Sequence, residues 1–203
     1  MSPNPPRPSI TVTLGLTPAK FSVGAQPLPE FTVTALSHFP GPITIFTYTT
    51  IFHLKLSLRR SDFSCIDITT DDATPVPEMD DSRGGRHSAF TRESGGRDDR
   101  YFLTLEPGIP VKFQEAFYRA IRRPDEPDLF ESGHKYRMAI KDGETIRWWR
   151  WGRKEEVMAP PGKRVSLGPA KEEPIPLQAD PLEFEVIERY VAWSIAIHAT
   201  LGI

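Results

Sequence analysis

The sequence predicts an all-β protein, a sandwich of about 8–10 short antiparallel strands with long irregular loops, and three observations carry that expectation. Apolar residues recur with a period of two, as in Ile10, Val12, Leu14 and Leu16 against Thr11, Thr13 and Gly15. Turn signals divide the chain at short intervals. Prolines number 21 in 203 residues, about double the ~5% of ordinary chains, which disfavours long helices and favours turns and strand edges.

A hydrophobic share of 38% in a chain of this length supports one respectable core. The formal net charge of -2 supplies no global electrostatic footprint for nucleic acid or an anionic membrane. Cys65 stands alone, so no intramolecular disulfide forms, and the opening MSPNPPRPS has no apolar stretch of the kind a signal peptide needs. Both point to an intracellular, cytoplasmic protein. No stretch reaches the ~20 apolar residues that a spanning helix requires.

In chain order, residues 1–9 hold Pro3, Pro5, Pro6 and Pro8 and read as a disordered arm. Residues 10–188 form a single domain. After the first strand, Phe31, Val33 and Ala35 give a second. The run Ile43 to Leu58 is rich in β-branched and aromatic residues and predicts two strands, or one bent by a bulge. Phe63 to Thr69 is another strand. Residues 70–100 lose the apolar pattern and read as a long mobile loop, in which Asp residues cancel the charge of the Arg-Gly pieces. Tyr101 to Leu105 resumes as a strand, and Val111 to Ala120 reads as a strand over a helix. Residues 158–181 form a Pro-rich loop, and Leu182, Phe184 and Val186 mark a closing strand. Segment 189–203 is apolar at alternate positions, from Val191 to Ile203, and is expected to pack on the domain or on a partner.

The densest patch is Leu129 to Glu156. Its pattern Phe130-x-x-Gly133-x-x-Tyr136 resembles the tyrosine corner of immunoglobulin-like and fibronectin-like sandwiches, which implies an immunoglobulin-like fold whose Tyr hydroxyl bonds back to upstream backbone. Asp142-Gly143 predicts a type I′ hairpin, pairing Tyr136–Ile140 with Glu144–Trp151. Alternation then puts Ile146 and Trp148 on one face and Arg147, Trp149, Trp151 and Arg153 on the other. Gly133, His134 and Tyr136 with Trp148, Trp149, Trp151, Gly152, Lys154, Glu155 and Glu156 also resemble a segment of fungal β-sandwich proteins without assigned activity. That likeness implies an architecture and no function.

The face of Arg147, Trp149, Trp151 and Arg153 is the candidate site. Indoles stack on sugars, bases or cations, and arginines grip carboxylates. Equally, the Pro-rich loop or the C-terminal segment covers these indoles as structure. His38, His53, His87, His134 and His198 are scattered without metal-ligand spacing, and no nucleophile or phosphate-loop motif occurs. Asp62 and Asp67 make an acid pair only if the fold adds another carboxylate. No catalytic residue, metal or cofactor is assigned. The expected function is binding of a protein or peptide partner, by an exposed strand edge or by the Trp/Arg face. Alternatives are a carbohydrate- or small-molecule-binding protein using the same indoles, and an enzyme whose site, around His134, converges only in three dimensions.

Overall fold

Two layers of antiparallel sheet enclose the main core of this all-β protein. The computed structural model describes residues 9–78, 89–121 and 128–188; the expected arm before Ser9 and the apolar segment 189–203 lie outside them. One layer holds two sheets side by side. The first has the order β1 (Ile10–Thr17), β3 (Glu30–Ser37), β8 (Val111–Ala116), and the second β11 (Trp149–Trp151), β4 (Ile43–Phe46), β7 (Phe102–Leu105). The opposite layer runs β2 (Lys20–Phe21), β13 (Leu182–Val186), β9 (Lys135–Ile140), β5 (Phe63–Asp67), β6 (Thr74–Pro75), antiparallel except for β2 against β13. A two-residue ladder joins β10 (Thr145–Ile146) to β12 (Ile175–Pro176).

Alternation explains the main core. Ile10, Val12, Leu14 and Leu16 of β1 and Phe31, Val33 and Ala35 of β3 turn inward, while the threonines between them turn out. Phe31 meets Phe63 of the opposite layer edge to face at 5.2 Å, and Phe184 meets Phe21 at 5.6 Å. Each such buried ring contributes about 1.5–3 kcal/mol over its exposed state.

Phe130 and Tyr136 are almost wholly buried and pack edge to face at 4.9 Å. The Tyr136 hydroxyl accepts the Glu131 N–H at 2.7 Å, and Gly133, at φ 85°, supplies the left-handed backbone between them. The bond from upstream backbone to the Tyr hydroxyl that the resemblance implies is therefore present.

Two expectations are overturned. Residues 43–58 are not two strands: β4 ends at Phe46, and a helical turn, α1 (Leu54–Ser57), follows. Thr50 Oγ1 donates to the Thr47 C=O at 2.9 Å and accepts the Phe52 N–H, offering the backbone a turn in place of a ladder. The hairpin at Asp142-Gly143 also fails. Gly143 alone takes a positive φ, of 87°, so the turn is not type I′. Beyond it β10 pairs with β12 and β11 pairs with β4, whereas β9 lies between β13 and β5. The chain changes layers here because β9 is already paired on both sides.

That crossing resets the alternation. Ile146 and Trp149 enter the main core, and Trp148 enters a second cluster with Phe46, Tyr48, Phe102 and Met158 on the other face of β4. Part of the expected loop 70–100 is built into this cluster, since Phe90 packs 4.9 Å from Phe46 and Asp98 is buried, accepting the Thr91 N–H at 2.9 Å.

Removing the hydroxyl in Tyr136→Phe leaves the Glu131 N–H without its acceptor. It is expected to lower unfolding free energy by about 1–2 kcal/mol, read as a reduced urea midpoint with an unchanged near-ultraviolet dichroism spectrum.

Candidate functional site

The residues singled out from sequence do not form one open face. Trp149 is 5% exposed and its indole N–H donates to the Glu173 C=O at 2.9 Å, under the Pro-rich segment. Trp151 is 46% exposed and leans on Phe39 and Trp149 at 5.5 Å from each. Arg153 is drawn to Glu106, Nε to Oε1 at 2.7 Å, and Arg147 stands exposed. Trp148 donates to the Leu167 C=O at 3.0 Å, with Arg150 stacked 4.7 Å from its ring. The following residues also have structural duties. Lys154 pairs with Asp99 at 2.8 Å, Glu156 caps the Arg153 N–H at 2.9 Å, and Gly152 takes φ 98°. A Cβ at Gly152 would lie 2.6 Å from the Glu156 carboxylate.

A site that the sequence reading missed lies elsewhere. Strands β7 and β8 are consecutive and joined by a short turn, yet no ladder joins them: β7 pairs with β4, and β8 with β3. Near the turn they are held together through Ser37, whose C=O accepts the Gly108 N–H at 2.9 Å. Away from it they splay. Between them opens a cleft of about 660 Å³, within the 300–1,000 Å³ usual for ligand sites.

Its walls are Tyr101 to Leu103 on one side and Phe113 to Glu115 on the other. Its base comes from Thr47, Tyr48 and the chain from Phe52 to Leu56. Phe52 stacks on Phe113 at 4.8 Å, and the His53 ring sits 5.6 Å from Tyr48 and 5.5 Å from Tyr101. Burial holds the His53 pKa below its ordinary 6.5, and the charges of Arg60 and Arg100 add to this against Glu115. His53 is therefore neutral at pH 7.

Both walls present unpaired backbone. The Phe117 N–H donates to the Pro29 C=O at 2.8 Å, which fixes the phase of the β3–β8 ladder. Alternation then turns the peptide groups of Phe113 and Glu115 towards β3 and those of Lys112, Gln114 and Ala116 away from it. Consistently, the Ala116 N–H takes the Glu115 carboxylate as its acceptor at 3.2 Å. The Thr47 N–H donates to the Tyr101 C=O at 2.8 Å, so Leu103 faces β4 while Phe102 and Thr104 face away. Apart from the Phe102 N–H, which donates to the Asp99 C=O, no backbone group among the described residues pairs with the outward groups of Thr104, Lys112, Gln114 or Ala116.

His53 reads from sequence as one of five scattered histidines because residues 43–58 read as strand. Leu54 and Leu58, four apart and both buried, carried the helical signal.

The other titratable clusters lie apart from the cleft lining. His134 bonds Asp67, Nδ1 to Oδ2, at 2.6 Å, with Glu131 at 3.5 Å from Nε2. The Asp67 bond raises His134 above its ordinary 6.5. Desolvation pushes Asp67 up, but the bonds from His134 and Thr69 outweigh it and hold the carboxyl below 3.8. Asp62 finds Glu144 as its neighbouring carboxylate; burial first, then the Glu144 charge, raises Asp62 to about 6. Among the described residues no group of His, Cys, Asp and Glu is placed to hold a metal ion, and no helix is long and apolar enough to cross a membrane.

No family model, no curated protein and no solved structure matches the chain.

Trp149→Ala is expected to cost about 3–5 kcal/mol of stability and Trp151→Ala about 1 kcal/mol, compared by urea denaturation. For the His134–Asp67 pair the sign follows from both shifts. The raised His134 contributes stability that is complete below 6.5 and lost as pH rises through its folded pKa. The depressed Asp67 contributes stability present above 3.8 and lost as pH falls through its folded pKa. The stability gap between the parent and Asp67→Asn should therefore be widest between these values and shrink by pH 9, as thermal midpoints across pH will show.

Proposed function

We propose that this chain is a binding module, rather than a catalyst, that takes an extended peptide segment of a partner protein into the cleft between β7 and β8. The observation supporting this is the facing pair of unpaired strand edges, beside aromatic rings that are already ordered. An extended peptide laid along such an edge gains main-chain hydrogen bonds, and alternate side chains enter the cleft. Rigid rings at the base lower the ordering cost of binding. Of the two binding modes weighed from sequence, the strand edge is favoured over the Trp/Arg face, because Trp149 is covered and Arg153 is committed to Glu106.

A second reading, a small aromatic or carbohydrate ligand in the same cleft, draws on the ring lining of Phe52, Tyr48, Tyr101 and Phe113. Edge use distinguishes the two.

Random twelve-residue peptides displayed on phage and selected on the full chain should yield binders whose saturation slows amide hydrogen exchange at Thr104 and Gln114. Gln114→Pro removes one outward N–H at an edge position where proline is tolerated. It is expected to weaken those peptides at least tenfold while leaving the thermal midpoint within a few degrees. Selected peptides that bind Gln114→Pro equally well and protect none of these amides would defeat the reading.

A further inference from the structure

Resting on that peptide reading, charge in and around the cleft narrows the class of segment. Most cations near these strands are already neutralised: Lys112 by Glu30 at 3.1 Å, Arg153 by Glu106 at 2.7 Å, Lys154 by Asp99 at 2.8 Å and Arg97 by Asp98 at 2.8 Å. The two cations that line the cleft, Lys55 and Arg100, are exposed and have no carboxylate within ion-pair distance among the described residues. Arg100 instead lies 4.9 Å from the centre of the Tyr101 ring and donates to the Tyr101 hydroxyl at 2.8 Å. Arg60 sits over the Tyr48 ring at 4.9 Å and donates to the Tyr48 C=O at 2.7 Å. The single acidic residue of the lining, Glu115, is turned to its own surroundings, accepting from the Ala116 N–H and from Tyr118.

We propose that the segment received in the cleft is acidic, with an Asp or Glu side chain of the peptide held between Arg100 and Lys55 and an adjacent side chain lying on the Tyr101 and Phe113 rings. A guanidinium stacked on a ring is already ordered, so less freedom is lost when its remaining N–H groups take a carboxylate. Charge-assisted bonds of this kind are about twice as strong as neutral ones. The groups facing His53 are Arg60, Arg100, Lys55 and Glu115 with the rings of Tyr48 and Tyr101. A carboxylate set among them offsets the cations and favours the imidazolium, so binding takes up a proton and strengthens as pH falls towards the lowered pKa of the free His53.

The test uses the full chain with labelled histidine, titrated with benzoate, phenyl phosphate and benzylamine while the His53 ring resonance is followed. Benzoate is expected to shift it and to raise its titration midpoint, and benzylamine to leave it unmoved. Arg100→Gln and Lys55→Gln should each weaken benzoate at least fivefold and their combination should abolish binding, with unchanged thermal midpoints because both side chains are exposed. The phage-selected peptides should be enriched in Asp and Glu and lose affinity in the same variants. Binding of benzylamine as strong as benzoate, or indifference of benzoate to both variants, overturns the proposal. Binding of phenyl phosphate without benzoate overturns the carboxylate assignment. Peptides that protect the edge amides yet show no acidic excess refute the acidic class and leave the peptide reading standing. Benzoate binding lost in the variants, with no peptide captured, supports the anion site and refutes the peptide reading.

Discussion

Strand β4 is buried on both faces, and much of the molecule follows from that. Ile43 and Ile45 point into the main core, while Thr44 and Phe46 point the other way and are just as hidden. A sandwich covers one face of its strands, so the second face has to be covered by something outside the sandwich. Trp148, Met158 and Phe90, drawn from segments that carry little regular structure, do this together with Phe102 of β7. The Pro-rich chain completes the cover. Proline-rich backbone lacks some donors but keeps every carbonyl, and these carbonyls meet the donors of the strand beneath. Leu167 receives Trp148, Pro169 receives Arg150, and Glu173 receives Trp149. Irregular chain is thus fixed in place by these side-chain hydrogen bonds together with short backbone pairings, among them the β10–β12 ladder and the Arg92 N–H on the Val165 C=O.

What the sequence discloses and what it hides divide along a physical line. Properties set by neighbours in the chain were legible. The period-two strands of β1, β3 and β13, and the corner of Phe130, Gly133 and Tyr136, each depend on spacing of a few residues. Properties set by which strand pairs with which were not. Asp142-Gly143 does form a turn, but sequence cannot say that β9 is already flanked by β5 and β13 and has no side left for the following strand. Once that partner is lost, the alternation of Ile146, Trp148 and Trp149 restarts, and the expected platform of Trp149 and Trp151 breaks up: Trp149 is buried in the main core beside the exposed Trp151, and Trp148 is buried in the second cluster.

The cleft was invisible for the same reason. It is made by β7 and β8 choosing different partners, a decision taken by β3 and β4 far away in sequence. Composition hinted at it only through the run from Ile43 to Leu58, where an apolar and aromatic stretch too long for one strand turned out to contain the helical turn that builds its base. The back of the cleft shares Tyr48, Phe102 and Leu56 with the second cluster. Cover of β4 and shape of the cleft are therefore one packing problem, and a change that loosens Phe46 or Trp148 reaches the cleft through these shared rings.

The splay of β7 from β8 also bears on what can reach these strand edges. An open strand edge is a template for any other sheet, and most proteins blunt it with charge, proline or a bulge. Here the two edges look at each other across a recess instead of outward. A second sheet, with its side chains standing on both faces and neighbours alongside, is too broad to enter the angle between them. A single extended chain is not. On the proposed reading the recess is a width filter, closed to a second sheet while its backbone hydrogen-bonding groups stay open to one strand at a time.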